Sequence, residues 1–305
     1  MLAVKTFNSD QDIFRHSMRL MGSHFEICVV GHDADRAGQC IDIASAEITR
    51  VEKLLSAFND DSQINEINRN AGIKPVKAGA EIFRLIERSL NISDLTEGSF
   101  DITYNVLDGE VVNNGKQSGK LTSYRQVILD PEKTTVFLKE KGMRIGFSAV
   151  SKGYATDRAK YVLQMAGVSS GVINADGDLL TWGLKPDGLP WTIASADPEQ
   201  ENQPYAGINI SNMAVARSVR EPDAMAAEQK NLSDADLKKG GSAGILKSVS
   251  VVSPTAELSD AMATPIMQMG INAGLGFIDG LQQLACIIID DQDCVYTSKE
   301  INNLN

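Results

Sequence analysis

Between Met143 and Leu163 the apolar residues change their period. Met143, Ile145 and Phe147 alternate as in a strand, whereas Tyr154, Ala159, Val162 and Leu163 follow a helix-like pattern opening at Ser151. A strand that hands over to a helix in so few residues fixes two neighbouring elements at once. It also leaves the first backbone N–H groups of the helix pointing outward, with Lys152 beside them. Such an end is a natural place to hold an anion such as a phosphate. For this stretch alone, an ordinary strand-to-helix turn is the simpler account.

The same periodicities organise the rest of the chain. Residues 24–30 read as a strand and 34–58 as a long helix, with Ile41, Ala44, Ile48, Val51, Leu55 and Phe58 on one face. Asn59 to Ser62 break it, and Ile64 and Ile67 suggest one more short turn. A second helix covers about Ala80 to Leu95 and stops at Gly98. Strands are expected at 125–130 and 134–139, joined through a turn at Pro131, and again at 171–175, 178–183, 191–195 and 206–210. Two more, at 246–253 and 284–290, flank a helix from about Ser259. Residues 107–123 and 217–244 are polar and read as loops. Strands and helices mix without strict βαβ alternation, which predicts an α+β fold with a mainly antiparallel sheet. We expect one domain over 1–305, with a polar N-terminal arm at 1–17 and a variable polar loop at about 217–244.

Composition narrows the function. The chain has 305 residues, of which 43% are hydrophobic, enough for one large core or two closely joined ones. No run approaches the roughly 20 apolar residues of a membrane span. The polar N-terminus shows neither a signal-peptide core nor a lipid-attachment cysteine, so the chain as written reads as soluble and its location stays open. A formal net charge of −11 argues against nucleic acid, whose phosphates need a basic face. Cys28 and Cys286 lie in apolar runs and read as buried thiols. His16, His24 and His32 are the only histidines, which disfavours a histidine-rich zinc site or a triad assembled from distant segments.

Four further stretches invite chemistry. Asp260 and Thr264 are four apart, so on a helix a carboxylate and a hydroxyl share one face and could hold a hard cation. The plainer reading is a helix start capped by Ser259 or Asp260, and Pro265 complicates any helix there. Asn174 to Asp178 follows a buried strand as a glycine-bearing turn. Gly98-Ser-Phe-Asp-Ile-Thr103 looks like a helix C-cap with a strand beyond it. The glycines from Gly274 to Gly280 make a poor dinucleotide fingerprint and read as a loop.

Taken in order, these fragments resemble one family. Met21-Gly22-Ser23 comes first, then Leu55-Ser-Ala-Phe58 with Asp61-Ser62 and Asn68, then Gly98 to Thr103. Ser151-Lys-Gly-Tyr-Ala-Thr-Asp157, Asn174-Ala-Asp-Gly-Asp178 and Asp260-Ala-Met-Ala-Thr264 complete the succession. It resembles the ApbE family, the FAD:protein FMN transferases, from about residue 18 to 290. The resemblance implies a ligand cleft between two closely joined halves and a Mg²⁺-dependent enzyme. That enzyme would cleave the pyrophosphate of FAD and transfer FMN to a Ser or Thr hydroxyl of an acceptor flavoprotein. It further implies that Asp260, Thr264 and the Ala149 carbonyl bind the metal and that Lys152 lies near the phosphates. Met21, Phe58, Ser99, Phe100, Asp101 and Gly146 match positions lining the FAD site.

The departures from that pattern are equally specific. The family usually has Asp where Gly146 stands, glycines at Ser148 and Ala149, and a glycine at Asp176. Its Thr-Ser-Gly is replaced by Ala216-Arg217-Ser218, and its His-x-x-Asp-Pro-x-Thr-Gly loop is absent. The loop between Leu107 and Arg125 is short and lacks the family's frequent tryptophan. Two other functions therefore stand beside transfer: a catalytically impaired flavin-binding member, and an FAD pyrophosphatase releasing FMN and AMP.

Overall fold

In the computed structural model, residues 11–56, 62–107, 110–112, 122–193, 208–220 and 246–303 are described. Along the chain run β1 (Asp12–Leu20), β2 (Ser23–Gly31), α1 (Ala34–Leu55), α2 (Gln63–Arg69), β3 (Val76–Lys77) and α3 (Ala80–Leu95). Then come β4 (Thr103–Leu107), β5 (Glu110–Val112), β6 (Val127–Asp130), β7 (Thr135–Leu138), β8 (Met143–Ile145) and α4 (Ser151–Met165). The remainder is β9 (Gly171–Ala175), β10 (Asp178–Trp182), β11 (Ala214–Val219), β12 (Leu246–Ser253), α5 (Ala256–Met269), α6 (Ile271–Asp279), β13 (Ala285–Asp290) and β14 (Val295–Thr297). Contacts divide the chain into a larger unit, Met1–Ile48 with Lys152–Asn305, and a smaller one, Thr49–Ser151.

The larger unit is built on one eight-stranded sheet in the order β1-β2-β9-β10-β11-β12-β13-β14, antiparallel throughout. Its central strands are buried along their length, which is why they read as apolar runs and not as clean alternations. Cys28, Val172, Leu179, Val215, Val252 and Ile287 face one cluster that also takes Trp191 and Ile210. Leu180 and Ala214 point the other way and meet Ala256 of α5. At the sheet's centre Gly171 is paired with Trp182, and the indole N–H of Trp182 donates to the Val168 carbonyl at 3.1 Å.

The smaller unit holds two three-stranded antiparallel sheets, β3-β7-β6 and β5-β4-β8, with α2 and α3. Asn68 of α2 pairs with β8 as a strand would: its amide donates to the Ile145 carbonyl at 3.0 Å, and its oxygen accepts the Ile145 N–H at 2.8 Å. Both residues are buried, so this side chain fixes where β8 ends and the Gly146–Val150 turn begins.

The expected α+β fold with mainly antiparallel sheets is what the chain adopts. Several local expectations need correction. The strand β1 occupies Asp12 to Leu20 and so takes in the last part of the supposed N-terminal arm, and β5 interrupts the loop assigned to 107–123. Helix α1 ends at Leu55, short of residue 58. The strands expected at 191–195 and 206–210 reduce, in their described part, to a single bridge between Thr192 and Asn209. The polar stretch from 217 opens as the end of β11; residues 221–245 lie outside the described ones. Helix α5 starts at Ala256, not Ser259, and Pro265 sits within it without ending it. Gly274 is helical, in α6, where a Cβ would come 2.9 Å from the Ile266 side chain; the glycine permits α6 to close on α5. Periodicity misses that reason because it is a contact between helices. Among the described residues no helix is long and apolar enough to cross a membrane.

Gly171 is the tightest point of the central sheet. A Cβ there would lie 2.4 Å from the Cys28 carbonyl oxygen and 2.6 Å from the Trp182 ring, neither of which can swing away. Gly171→Ala is expected to destabilise the fold by about 1–3 kcal/mol through overpacking, read as a lowered Tm in thermal denaturation. An unchanged Tm would refute this account of the sheet.

Candidate active site

The site of interest forms where α4 and α5 meet in the larger unit. A Cβ on Gly153 would fall 2.4 Å from the Ala256 carbonyl oxygen, so only glycine lets α4 approach this closely. That approach brings the Gly153 N–H within 3.1 Å of Asp260 Oδ2. Four residues further along α4, Asp157 accepts the N–H groups of Ala256 and Glu257 at 2.9 and 2.8 Å. The Thr255 side chain caps the same helix by accepting the Leu258 N–H.

The sheet supplies the other wall. Asp176 and Gly177 both have positive φ, 60° and 95°, the pattern of a two-residue I′ hairpin between β9 and β10. It delivers Asp178 to the strand start, where one carboxylate oxygen accepts the Arg217 N–H at 2.9 Å and the other lies 3.3 Å from Lys152 Nζ. A second such turn, at Met21 and Gly22 with φ 52° and 74°, joins β1 to β2. Because Phe25 pairs with Ala175, both turns lie at the same end of the sheet. A non-glycine residue held at positive φ, as Met21 is, stores strain of the order of 1 kcal/mol or more, a feature that gathers at ligand sites.

Lys152, Gly153, Thr156, Asp178, Ala216 and Asp260 are among the residues lining a small, open recess at this junction, with room for about one water-sized group. Burial pushes the Asp260 carboxyl up to about 6, and the neighbouring charge of Asp178 adds to the rise. Asp178 is itself raised, first by burial, against the pull of the Arg217 N–H and the Lys152 ammonium. Two carboxylates and one ammonium in a partly buried recess are short of positive charge, which a cation would supply.

The remaining residues expected in the site divide between the two units. Thr264 follows Asp260 by one turn on the same face of α5 and is exposed. Ser99, Phe100, Asp101, Gly146 and Ala149 belong to the smaller unit. There Gly98, at φ 87°, ends α3 by donating its N–H to the Ser93 carbonyl. Phe100 is buried, and both oxygens of Asp101 are occupied by the N–H groups of Thr103 and Tyr124, at 2.8 and 3.0 Å. Burial raises the Asp101 carboxyl, and those two bonds oppose the rise. A Cβ on Gly146 would press on the Tyr104 ring at 3.1 Å, so the ring uses the room that a longer residue would need. Ala149 is exposed in the turn before α4. Phe58 lies outside the described residues. Sequence reasoning missed Asp157 as a tertiary cap and Asp178 as the partner of Lys152. Both stood inside motifs already noted, but their partners are about 100 and 26 residues away.

A glycine-tight helix junction with a lysine and two carboxylates around a small recess thus stands on an α+β scaffold. The chain belongs to the ApbE family, which it matches over residues 21–288. A protein of Klebsiella pneumoniae (strain 342) named FAD:protein FMN transferase is 29% identical over 222 residues, covering 69% of this chain and 67% of that protein. The protein of the same name from Escherichia coli (strain K12) is 25% identical over 274 residues, covering 83% and 77%. Among solved structures, the apo flavinyl transferase ApbE of Pseudomonas stutzeri superposes with a TM-score of 0.75 at 19% identity, covering 97% of this chain and 98% of that one. The flavin transferase ApbE of Vibrio cholerae does so with a TM-score of 0.72 at 17% identity, covering 97% and 100%. These two likenesses show the fold.

The raised Asp260 has a consequence for stability. The folded protein keeps its proton up to about pH 6, whereas the unfolded chain releases it near 3.8. Its contribution is therefore fully present below the lower value and is lost as pH rises through the higher one. Without added metal, Asp260→Asn is expected to melt above the wild type at about pH 7.5, with the difference closing towards about pH 4. Equal melting temperatures across that range would contradict a desolvated, like-charged Asp260.

Proposed function

We propose that this chain is an FAD:protein FMN transferase that cleaves the pyrophosphate of FAD and moves FMN to a Ser or Thr hydroxyl of an acceptor flavoprotein. The observation that carries this reading within the family is the convergence of Lys152, Asp178 and Asp260 on one recess. Lys152 offers an ammonium to an anionic oxygen, and Asp178, itself fixed by the β11 backbone, sets where that ammonium stands.

The donor set fits Mg²⁺. Gly153 occupies Asp260 Oδ2, and no hydrogen bond to the other oxygen exists among the described residues, so a hard anionic ligand remains available. Among the described residues no three His, Cys, Asp or Glu side chains gather as a metal cage. Mg²⁺ is commonly held by one or two carboxylates together with substrate phosphates and water. In this proposal Asp260 would hold it, with the Thr264 hydroxyl and the Ala149 carbonyl added on the strength of the family's motifs, and the ion would supply charge neutralisation for the pyrophosphate. Met21, Phe58, Ser99, Phe100, Asp101 and Gly146 enter the proposal as FAD-binding residues on the strength of the family's motifs.

Incubation with FAD, Mg²⁺ and an acceptor carrying the family's flavinylation site is expected to add the mass of an FMN group to the acceptor. Asp260→Ala should lower the rate about a hundredfold or more. The missing histidine loop favours one other outcome specifically: tight FAD binding with neither product, which would leave a flavin-binding protein. FMN and AMP released while the acceptor mass stays unchanged would replace transfer by hydrolysis.

A further inference from the structure

Helix α5 begins with more anchoring than a helix start requires. Of its first free N–H groups, Leu258 donates to the Thr255 hydroxyl at 3.4 Å, and the first intrahelical bond runs from Ser259 to the Thr255 carbonyl at 3.2 Å, which is an ordinary N-cap. The N–H groups of Ala256 and Glu257 go instead to the two oxygens of Asp157, on α4. This carboxylate is half-buried, and its desolvation pushes it up to about 6 despite the two N–H groups it accepts. It is thus held in place at an electrostatic cost, against a helix N-terminus that favours its charge.

The spacing explains what that grip does. Gly153 and Asp157 are four apart on α4, and Ala256 and Asp260 are four apart on α5, so each pair shares a helix face. The faces are joined at two points, Asp157 to the first turn of α5 and the Gly153 N–H to Asp260. One joint would let α5 pivot; two fix its rotation and its slide together. Asp260 sits about 6 Å along the helix from the Asp157 joint, so a small tilt there displaces its carboxylate from the recess.

From this arrangement we infer that Asp157 is a positioning residue, holding the first turn of α5 so that Asp260 stands ready for the metal. The inference rests on the transferase reading above. A plain structural cap would lower stability when removed but leave the binding of the folded molecules intact.

The test titrates the full-length protein with Mn²⁺ in the presence of ADP, followed by loss of the free-ion EPR signal beyond that of a protein-free ADP control, alongside thermal melts. Asp157→Asn keeps the shape and one acceptor but loses the second. It is expected to weaken Mn²⁺ binding about tenfold or more per folded molecule, the effect usual for groups that orient a metal ligand. Thr255→Ala removes the other cap of the same helix end and is expected to lower the Tm while leaving Mn²⁺ affinity within about twofold of wild type. If Asp157→Asn also stays within about twofold, or both variants lose affinity only in step with their unfolded fraction, the inference falls and Asp157 is a structural cap. Should Asp157→Asn not fold, Asp157→Glu keeps charge and both oxygens but pushes the first turn outward by a methylene. The same loss is expected there, and wild-type affinity would overturn the inference. Failure of the wild type to bind Mn²⁺ with ADP would instead remove the transferase reading and this inference with it.

Discussion

Helix α4 meets the start of α5 with no side chain between them at Gly153, and the candidate site of the larger unit follows from that contact. The backbone of one helix can reach the carboxylate of the other only because a Cβ is missing where the Ala256 carbonyl passes. Asp157 then takes up the N–H groups that the approach leaves unpaired. Lys152 precedes Gly153 by one residue, so the same contact sets its ammonium beside Asp178. Shift the helices and the lysine, the carboxylates and the recess move apart together.

The electrostatics are arranged at some expense to the fold. Asp157, Asp178 and Asp260 are all raised, with burial the leading cause in each. Of the three only Asp178 makes a close ion pair, with Lys152, and none is satisfied as fully as Asp290, which accepts from two backbone N–H groups and the Tyr296 hydroxyl at the far side of the sheet. That contrast separates a carboxylate given three donors from the less fully satisfied carboxylates around the α4–α5 junction. The former is lowered from its ordinary value and the latter are lifted.

Local pattern carried most of the fold. The helical face from Ile41 to Leu55, the helix from Ala80 to Leu95 and the runs at 171–175 and 284–290 were legible, because each buries one face or both and so writes its period into the chain. It failed where tertiary contact overrides local signal. Gly274 is a loop residue by composition and a helix residue in fact, since its missing side chain serves the packing of α6 on α5. Pro265 sits inside α5, where propensity alone would have ended the helix.

The sequence by itself determined the family and its ordered motifs, together with the handover from strand to helix at Ser151 and the residue types a phosphate and a cation would require. These are properties of short segments, and short segments retain them wherever they are placed. Only the tertiary structure decided which of them cooperate. It joined Lys152 to Asp178 and Asp157 to the first turn of α5, and it gave Asp101 two backbone partners of its own. Those pairings depend on helix approach and strand register across tens to a hundred residues, distances over which no local periodicity persists.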